Sequence, residues 1–304
     1  MHILPKGFHF FERGWLSSNS LLLQDEKESV LFDTGYVTHS QQLLNLIQHR
    51  LGSQPLNEVI NTHLHSDHCG GNALLQSHFP QLKTSIPGTQ FADVENWTAS
   101  ALTYELTGQT CPSFVPSAGL ESGSTLRFCG TQWQVFASPG HDNDALIFFE
   151  PHFRILISAD ALWENGMGVI FPEFLDGIGF ENVASTYDLI ESLKPAIVIP
   201  GHGPVFTDAK KAILSARQKL DTYQADPVKH AIYAAKVLIK FKLMELQNAN
   251  LSEFRHWCFQ SPLLINIHRV FFEPIDLPTW IEDLWLELAE RKALEIRDGS
   301  IFNL

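Results

Sequence analysis

Short apolar runs and polar breaks alternate along this chain and predict strands and helices in turn. Residues 15–24 and 28–33 read as the strands of a hairpin, with Gln24-Asp25-Glu26-Lys27 as its turn. His39–Arg50 reads as an amphipathic helix with Leu43, Leu44, Ile47 and Leu51 on one face. In Leu56-Asn57-Glu58-Val59-Ile60-Asn61 the Val-Ile pair reads as the end of a buried strand, and Gly70-Gly71 lets the chain turn before a helix over Asn72–Phe79. Trp133–Ala137, Ile155–Asp160 and Ile197–Pro200 are further apolar strands, with a helix over Glu181–Leu193 before the last. Thr98–Gly123 has weak periodicity and reads as an insertion, whose Tyr104, Leu106 and Phe114 could serve a lid.

From about Asp226 the pattern changes. Asp226-Pro227 breaks a helix, and three helices are predicted beyond it, over Lys229–Leu246, Ser252–Phe259 and Leu277–Arg291. The tail, residues 293–302, alternates apolar and polar positions about Asp298-Gly299, which signals a hairpin. The expected organisation is therefore a larger domain over 1–226 and a small helical, winged-helix-like subdomain over 227–304.

Several of the apolar strands end in residues that a packed core does not need. The first runs into Thr62-His63-Leu64-His65-Ser66-Asp67-His68, three imidazoles and a carboxylate in close succession. Asp is almost never buried without a partner, and His only moderately often. In extended chain, residues i and i+2 face the same way, so His63 and His65 can grip one ion. After the turn at Ser66, Asp67-His68 points elsewhere, towards a second. Ser138-Pro139-Gly140-His141, Asp160 and Pro200-Gly201-His202-Gly203 repeat this order of strand first and ligand type after it. Open α/β sheets place their sites at those carboxyl ends. Any one of these histidines fits a satisfied structural role. Five His and two Asp together form a ligand set suited to Zn(II), Fe(II) or Mn(II).

With its H-x-H-x-D-H run, later His, later Asp and final Gly-His-Gly, the chain resembles the metallo-β-lactamase superfamily, in its glyoxalase II-like branch. Asp33 in Leu31-Phe32-Asp33-Thr34-Gly35 matches that family's first motif, and the resemblance covers roughly residues 8–225. It implies an α/β, four-layered αββα sandwich, to which some members add a winged-helix-like appendage. Position by position, it implies that His63, His65 and His141 hold one metal. Asp67, His68 and His202 would hold a second, with Asp160 bridging both. Asp33 is implied to orient the His-rich loop rather than to bind an ion. The implied cofactor is a pair of divalent ions, Zn(2+) first, with Fe or Mn as alternatives.

Two divalent ions about 3.5–4 Å apart share a water and lower its pKa from about 15.7 to about 7. The reaction so implied is attack of a metal-bound hydroxide on a small thioester, ester or lactone, with Asp67 orienting metal and nucleophile. A phosphodiesterase or ribonuclease of the same fold and a non-catalytic regulatory member are the alternatives; the intact ligand set speaks against the latter. Trp163, Phe171 and Phe174 follow Asp160 and suit a partly hydrophobic acyl or aromatic group. Ala161–Phe180 contains no Lys or Arg, a departure from the basic and Tyr residues with which glyoxalase II holds glutathione.

Charge narrows the partners. The 304 residues carry a net charge of -13; residues 227–304 have nine Lys/Arg against ten Asp/Glu. A phosphate-tracking surface needs a basic stripe, so the balance favours a small-molecule substrate over nucleic acid. Trp257, Trp280 and Trp285 suit the subdomain's core or a homodimer contact. No run of 18 or more apolar residues predicts a membrane span, and Met1-His2-Ile3-Leu4-Pro5-Lys6-Gly7 lacks the layout of a secretory signal. Cys69, Cys111, Cys129 and Cys258 show no paired spacing, which favours reduced thiols and a cytoplasmic setting. Cys69, directly after His68, reads as a small buried hydrophobe and not as a ligand.

Overall fold

Alternation of side chains along short apolar strands builds the first part of the chain as two stacked sheets. In a computed structural model describing residues 4–99, 101–175 and 177–304, one sheet contains β1 (Phe8–Phe11), β2 (Ser20–Gln24), β3 (Ser29–Phe32), β4 (Glu58–Ile60), β5 (Lys83–Pro87) and β6 (Ala118–Leu120), in that spatial order. Residues 1–3 of the N-terminal heptapeptide, Ser100 and Asp176 lie outside the described residues. The strands β1 to β3 are antiparallel neighbours, and β3 to β6 run parallel. The second sheet contains β7 (Thr125–Phe128), β8 (Thr131–Ala137), β9 (Leu146–Glu150), β10 (Ile155–Ala159) and β11 (Ile197–Pro200). It is antiparallel except for the parallel β10–β11 pair.

The period of two decides what each residue covers. Leu21, Leu23, Val30, Phe32 and Ile60 of the first sheet share one buried cluster with Trp133, Val135, Phe148, Ile157 and Ile199 of the second. Their sequence neighbours Leu22, Leu31 and Val59 face the other way, against Leu43, Leu44, Ile47 and Leu51 of helix Ser40–Leu51. Helix Gly179–Leu193 buries Phe180, Val183, Tyr187 and Ile190 and donates a hydrogen bond from Thr186 Oγ1 to the Pro139 carbonyl oxygen at 2.9 Å. Helix, sheet, sheet and helix follow one another as the expected α/β, αββα sandwich.

Four strands of this frame aim their carboxyl ends at the same place. Asp33 follows β3, His63 lies three residues beyond β4, Asp160 follows β10, and His202 lies two residues beyond β11. A bulge between Ile157 and Ala159, with Ala159 at φ 45°, turns Asp160 out of the strand line.

By backbone proximity, residues through Leu102 and Thr110–Leu220 form one compact unit, and Thr103–Gln109 and Asp221–Leu304 a second. The region read as a single insertion is thus divided. Ala118–Leu120 is a strand paired with β5, Phe114 is buried against Trp97 at 5.7 Å, and Tyr104 belongs to the second unit. The second unit holds helices Pro227–Leu246, Leu251–Gln260, Pro262–Phe271 and Leu277–Glu290 and a sheet of β12 (Asn248–Asn250), β13 (Leu294–Arg297) and β14 (Ser300–Asn303), with β14 central. Two of these elements are absent from the sequence-based expectation. Pro262–Phe271 opens on proline, which is tolerated at a helix's first position because its missing N–H has no partner there. Asn248-Ala249-Asn250 has no apolar pattern and is a strand through its pairing with β14. Trp280 and Trp285 are buried in this unit and Trp257 is half-buried. No helix among the described residues is long and apolar enough to cross a membrane.

The inter-sheet core makes a direct prediction. The Phe32 ring sits 5.1 Å from Phe148, 5.6 Å from Trp133 and 5.9 Å from Phe128. Phe32→Ala should cost about 3–5 kcal/mol in denaturant unfolding, while Leu214→Ala at an exposed helix position should stay within about 0.5 kcal/mol. Equal losses for the two would contradict this placement of the core.

Candidate metal centre

The seven residues singled out from sequence come together. His63 Nε2 lies 3.2 Å from His65 Nδ1, which lies 2.8 Å from His141 Nε2. His202 Nε2 is 3.1 Å from Asp67 Oδ2, and His68 Nε2 is 3.8 Å from the same oxygen. Asp160 stands between the two groups. Its Oδ1 is 3.5 Å from His68 Nε2, and its Oδ2 is 3.4 Å from His141 Nε2 and 3.7 Å from His202 Nε2. Among these seven residues, three sets therefore have ligand atoms close enough to share an ion: His63, His65 and His141; His63, His68 and Asp160; and Asp67, His68 and His202. Ligands about 2.0–2.1 Å from one tetrahedral ion would stand about 3.3 Å from each other, and the separations here run from 2.8 to 3.8 Å.

Hydrogen bonds on the far side of three of the rings, His63, His68 and His141, decide which nitrogen faces inward. Thr62 donates its backbone N–H to Asp33 Oδ1 at 2.9 Å and its hydroxyl to Asp33 Oδ2 at 2.8 Å. With that hydroxyl proton committed, the Thr62 oxygen accepts from His63 Nδ1–H at 3.1 Å, leaving the His63 Nε2 lone pair inward. Asp33 Oδ2 accepts from His68 Nδ1 at 2.8 Å, and the Val169 carbonyl accepts from His141 Nδ1 at 2.5 Å. Asp33 contacts none of the inward-facing nitrogens. It holds Thr62 and His68 in place at once.

Electrostatics separates the two halves of the site. Burial, then the fields of His68 and His65, holds His63 well below the ordinary imidazole range. Burial pushes His65 and His141 down to about 4. All three are therefore neutral near pH 7, with His65 Nδ1 facing His63 Nε2 and His141 Nε2 across 3.2 and 2.8 Å. A neutral His65 places at most one proton among these three nitrogens, whereas a cation satisfies all three, and neutral imidazole is the form that binds metal. In the other half, burial alone would lower His68, but the carboxylates of Asp160, Asp33 and Asp67 outweigh it and hold the ring well above its usual range. Burial would raise Asp67 and Asp160; the neighbouring His68 and His202 charges instead hold both below the ordinary carboxylate value. This half calls for positive charge, and His68 Nε2, which faces it, is buried without a hydrogen-bond partner.

Backbone shape makes room for these side chains. A Cβ at Gly201 would collide with Asp160 Oδ1, and one at Gly168 would stand 2.6 Å from His141 Nδ1. Asn19, not singled out from sequence, ties the Gly-His-Gly turn down. Its side-chain amide donates to the carbonyls of Pro200 at 3.0 Å and Gly203 at 2.8 Å, while its backbone N–H donates to Gly201 O at 2.6 Å. The available signal was the polar run Ser17-Ser18-Asn19-Ser20 leading into the apolar run Leu21-Leu22-Leu23. Asp142 is a second omission. Its carboxyl, raised by burial, stands 3.5 Å from His65 Nε2. Cys69 is buried, its thiol donating to the carbonyls of His65 and Leu64.

Asp33→Ala should lower metal affinity about 10–100-fold, the usual cost of losing a partner that orients a ligand. Competition against a chromogenic chelator measures it, and unchanged affinity would remove Asp33 from this role.

Comparison with known proteins agrees with the geometry. The Metallo-beta-lactamase superfamily family model matches residues 13–202. A hydroxyacylglutathione hydrolase of Yersinia enterocolitica serotype O:8 / biotype 1B is 26% identical over 206 residues, covering 67% of this chain and 69% of that protein. Three other hydroxyacylglutathione hydrolases are matched over less than half of their own length. Among solved structures, the metallo-beta-lactamase family protein TTHA1429 from Thermus thermophilus aligns over 99% of this chain and 100% of its own, at 17% identity and a TM-score of 0.61. TTHA1623 in a di-iron-bound form aligns over 68% of this chain and 98% of its own, at 26% identity and a TM-score of 0.54. A family match over well more than half of the chain, ending at His202 itself, leaves one conclusion: the chain belongs to the metallo-β-lactamase superfamily.

Proposed function

We propose that this chain is a metal-dependent hydrolase of small thioesters, esters or lactones, with two divalent ions held by the seven residues described. His63, His65 and His141 would hold one ion and Asp67, His68 and His202 the other, with Asp160 shared. The observation that carries this reading is the convergence of three imidazole nitrogens in one buried pocket, beside a second in which Asp67, His68 and His202 meet, with Asp160 between them. Zn(2+) suits this set of nitrogen and oxygen donors, with Fe or Mn as alternatives. The chemistry that such a pair supplies when bound is Lewis acidity toward a carbonyl oxygen and activation of water at neutral pH.

The chain's own residues supply position and charge. Asp33, Thr62 and the Val169 carbonyl fix His63, His68 and His141, so the reacting groups meet without reorganisation. Asp67, held ionised by the charges of His68 and His202, accepts a hydrogen bond from His202 Nε2 at Oδ2 and can orient a water or take up its proton there. Aromatic rings line the approach. Trp15 is 56% exposed and stacks on His202 at 5.4 Å, with Trp163 at 5.3 Å from Trp15. Phe171 lies 5.3 Å from His65 and 5.5 Å from His141. Such rings suit an apolar or aromatic acyl group. The hydrolase relatives act on a hydroxyacylglutathione, a thioester, and this supports the carbonyl reading. The absence of Lys and Arg from Ala161–Phe180 favours a thioester other than that of glutathione. The reading places the chain in a reducing, cytoplasmic setting, where its four cysteines are thiols.

A panel of acyl thioesters, lactones, a β-lactam and a bis-aryl phosphodiester tests this directly. Turnover of the carbonyl substrates should require metal and be abolished by His63→Ala. Activity confined to the phosphodiester would replace the reading with a phosphodiesterase. Asp67→Ala should abolish turnover and lower second-site occupancy; near-normal turnover would end its assignment. Chelation should lower the melting temperature by several degrees, since ligand at 100 times its Kd adds about 2.7 kcal/mol. An unchanged melting temperature would count against ions held in the folded core.

A further inference from the structure

Two cysteines that sequence spacing does not pair are brought together directly behind the His-rich loop. Cys69 Sγ and Cys111 Sγ are 3.7 Å apart, in contact but unbonded. Cys69 is buried at the end of helix Ser66–Cys69, next to His68 and two residues from Asp67. Cys111 is half-buried on irregular chain, anchored where Thr110 N–H donates to the Tyr36 hydroxyl oxygen at 3.1 Å. The other two thiols are poorer candidates. Burial pushes Cys129 and Cys258 up to about 12, so they remain protonated and unreactive.

We propose that Cys69 and Cys111 form an oxidisable thiol pair, a disulfide site whose closure weakens the hold of the His-rich loop on its second ion. The oxidant class is a hydroperoxide. The more accessible Cys111 sulfur takes the terminal oxygen of hydrogen peroxide as the O–O bond breaks, giving a sulfenic acid and one water. The Cys69 sulfur then attacks the sulfenic sulfur; the S–S bond forms, the S–O bond breaks, and the departing hydroxide leaves with the Cys69 proton as a second water. Two thiols lose two electrons together and one peroxide gains them.

Closure has a structural cost at a defined place. A disulfide holds its sulfurs about 2.05 Å apart, so the 3.7 Å gap must shrink by movement at one or both ends. Oxidation also removes the thiol donor from the carbonyls of His65 and Leu64. Both changes act on the short helix that carries Asp67 and His68. The assigned ligands are His and Asp only, which peroxide at thiol-oxidising doses spares. Ion loss on oxidation therefore reports the crosslink. The effect on the ion rests on the metal-site reading above, whereas the crosslink does not.

Treating the zinc-loaded full chain with hydrogen peroxide, then mapping peptides without reduction and following zinc with a chelating dye, tests both halves. One crosslink between Cys69 and Cys111 is expected, with second-site affinity reduced at least about tenfold and recovered on reduction with dithiothreitol. Cys111→Ser, a change at a half-buried position, should show neither effect. A thiol-trapping reagent should capture the sulfenic acid on Cys111 in Cys69→Ala. Absence of the crosslink in the wild-type chain, or pairing through Cys129 or Cys258, overturns the proposal. A crosslinked chain that retains both ions overturns the coupling, as does equal zinc release from Cys111→Ser. A chain that binds no zinc beforehand refutes the metal-site reading, and the peptide map still decides the crosslink.

Discussion

His63 Nε2, His65 Nδ1 and His141 Nε2 converge, each within 3.2 Å of the next, inside a pocket that keeps the imidazoles uncharged, and much of the first unit serves to hold them there. A flexible loop would relax by turning its rings toward solvent. Here the loop leaves β4, whose Val59 and Ile60 are buried on opposite faces of the sheet, and Asp33 at the end of the adjacent strand grips Thr62 by both its N–H and its hydroxyl. One carboxylate thus transmits the rigidity of the inter-sheet core to two imidazoles. Asn19 does the same for the turn carrying His202, through three hydrogen bonds to the 200–203 segment.

Strain gathers at the same edge. Asp33 and Ala159 have φ of 54° and 45°, sparsely populated for residues with a side chain, and each sits where a strand gives way to the site. Such conformations persist when the surroundings over-determine them. For Asp33 the surroundings are the hydrogen bonds to Thr62 and His68; for Ala159 they are the bulged pairing with β11 and a hydrogen bond from Gly201 N–H to its carbonyl at 2.7 Å. The rigidity of the apolar sandwich is in this way passed to a cluster of buried polar groups at one edge of the sheets.

Much of this was legible in the sequence because the signals were local. Leu43, Leu44, Ile47 and Leu51 recur at helical spacing, and all four are buried on the helix they predict. The residues His63, His65, Asp67 and His68 follow a strand and precede a Gly-Gly turn, a combination with no packing explanation. What stayed hidden depended on partners distant in sequence. Asn248-Ala249-Asn250 is a strand only because β14, some fifty residues later, offers it a ladder. Asn19 reaches across to Pro200 and Gly203, and Cys69 meets Cys111, through separations that no periodicity encodes. Trp15 could be read as one more strand residue until the fold set its ring flat against His202. The helix that starts at Pro262 is not among the elements predicted from sequence; proline is excluded from helix interiors but not from their first turn.

The most direct test of the central claim is X-ray absorption on the zinc-loaded chain combined with its metal stoichiometry. Two ions per chain, each surrounded by nitrogen and oxygen at about 2.0–2.2 Å, is the expected result. A single ion, or a sulfur neighbour at about 2.3 Å, would contradict it, the latter by bringing Cys69 into the ligand set in place of one of the seven His and Asp residues.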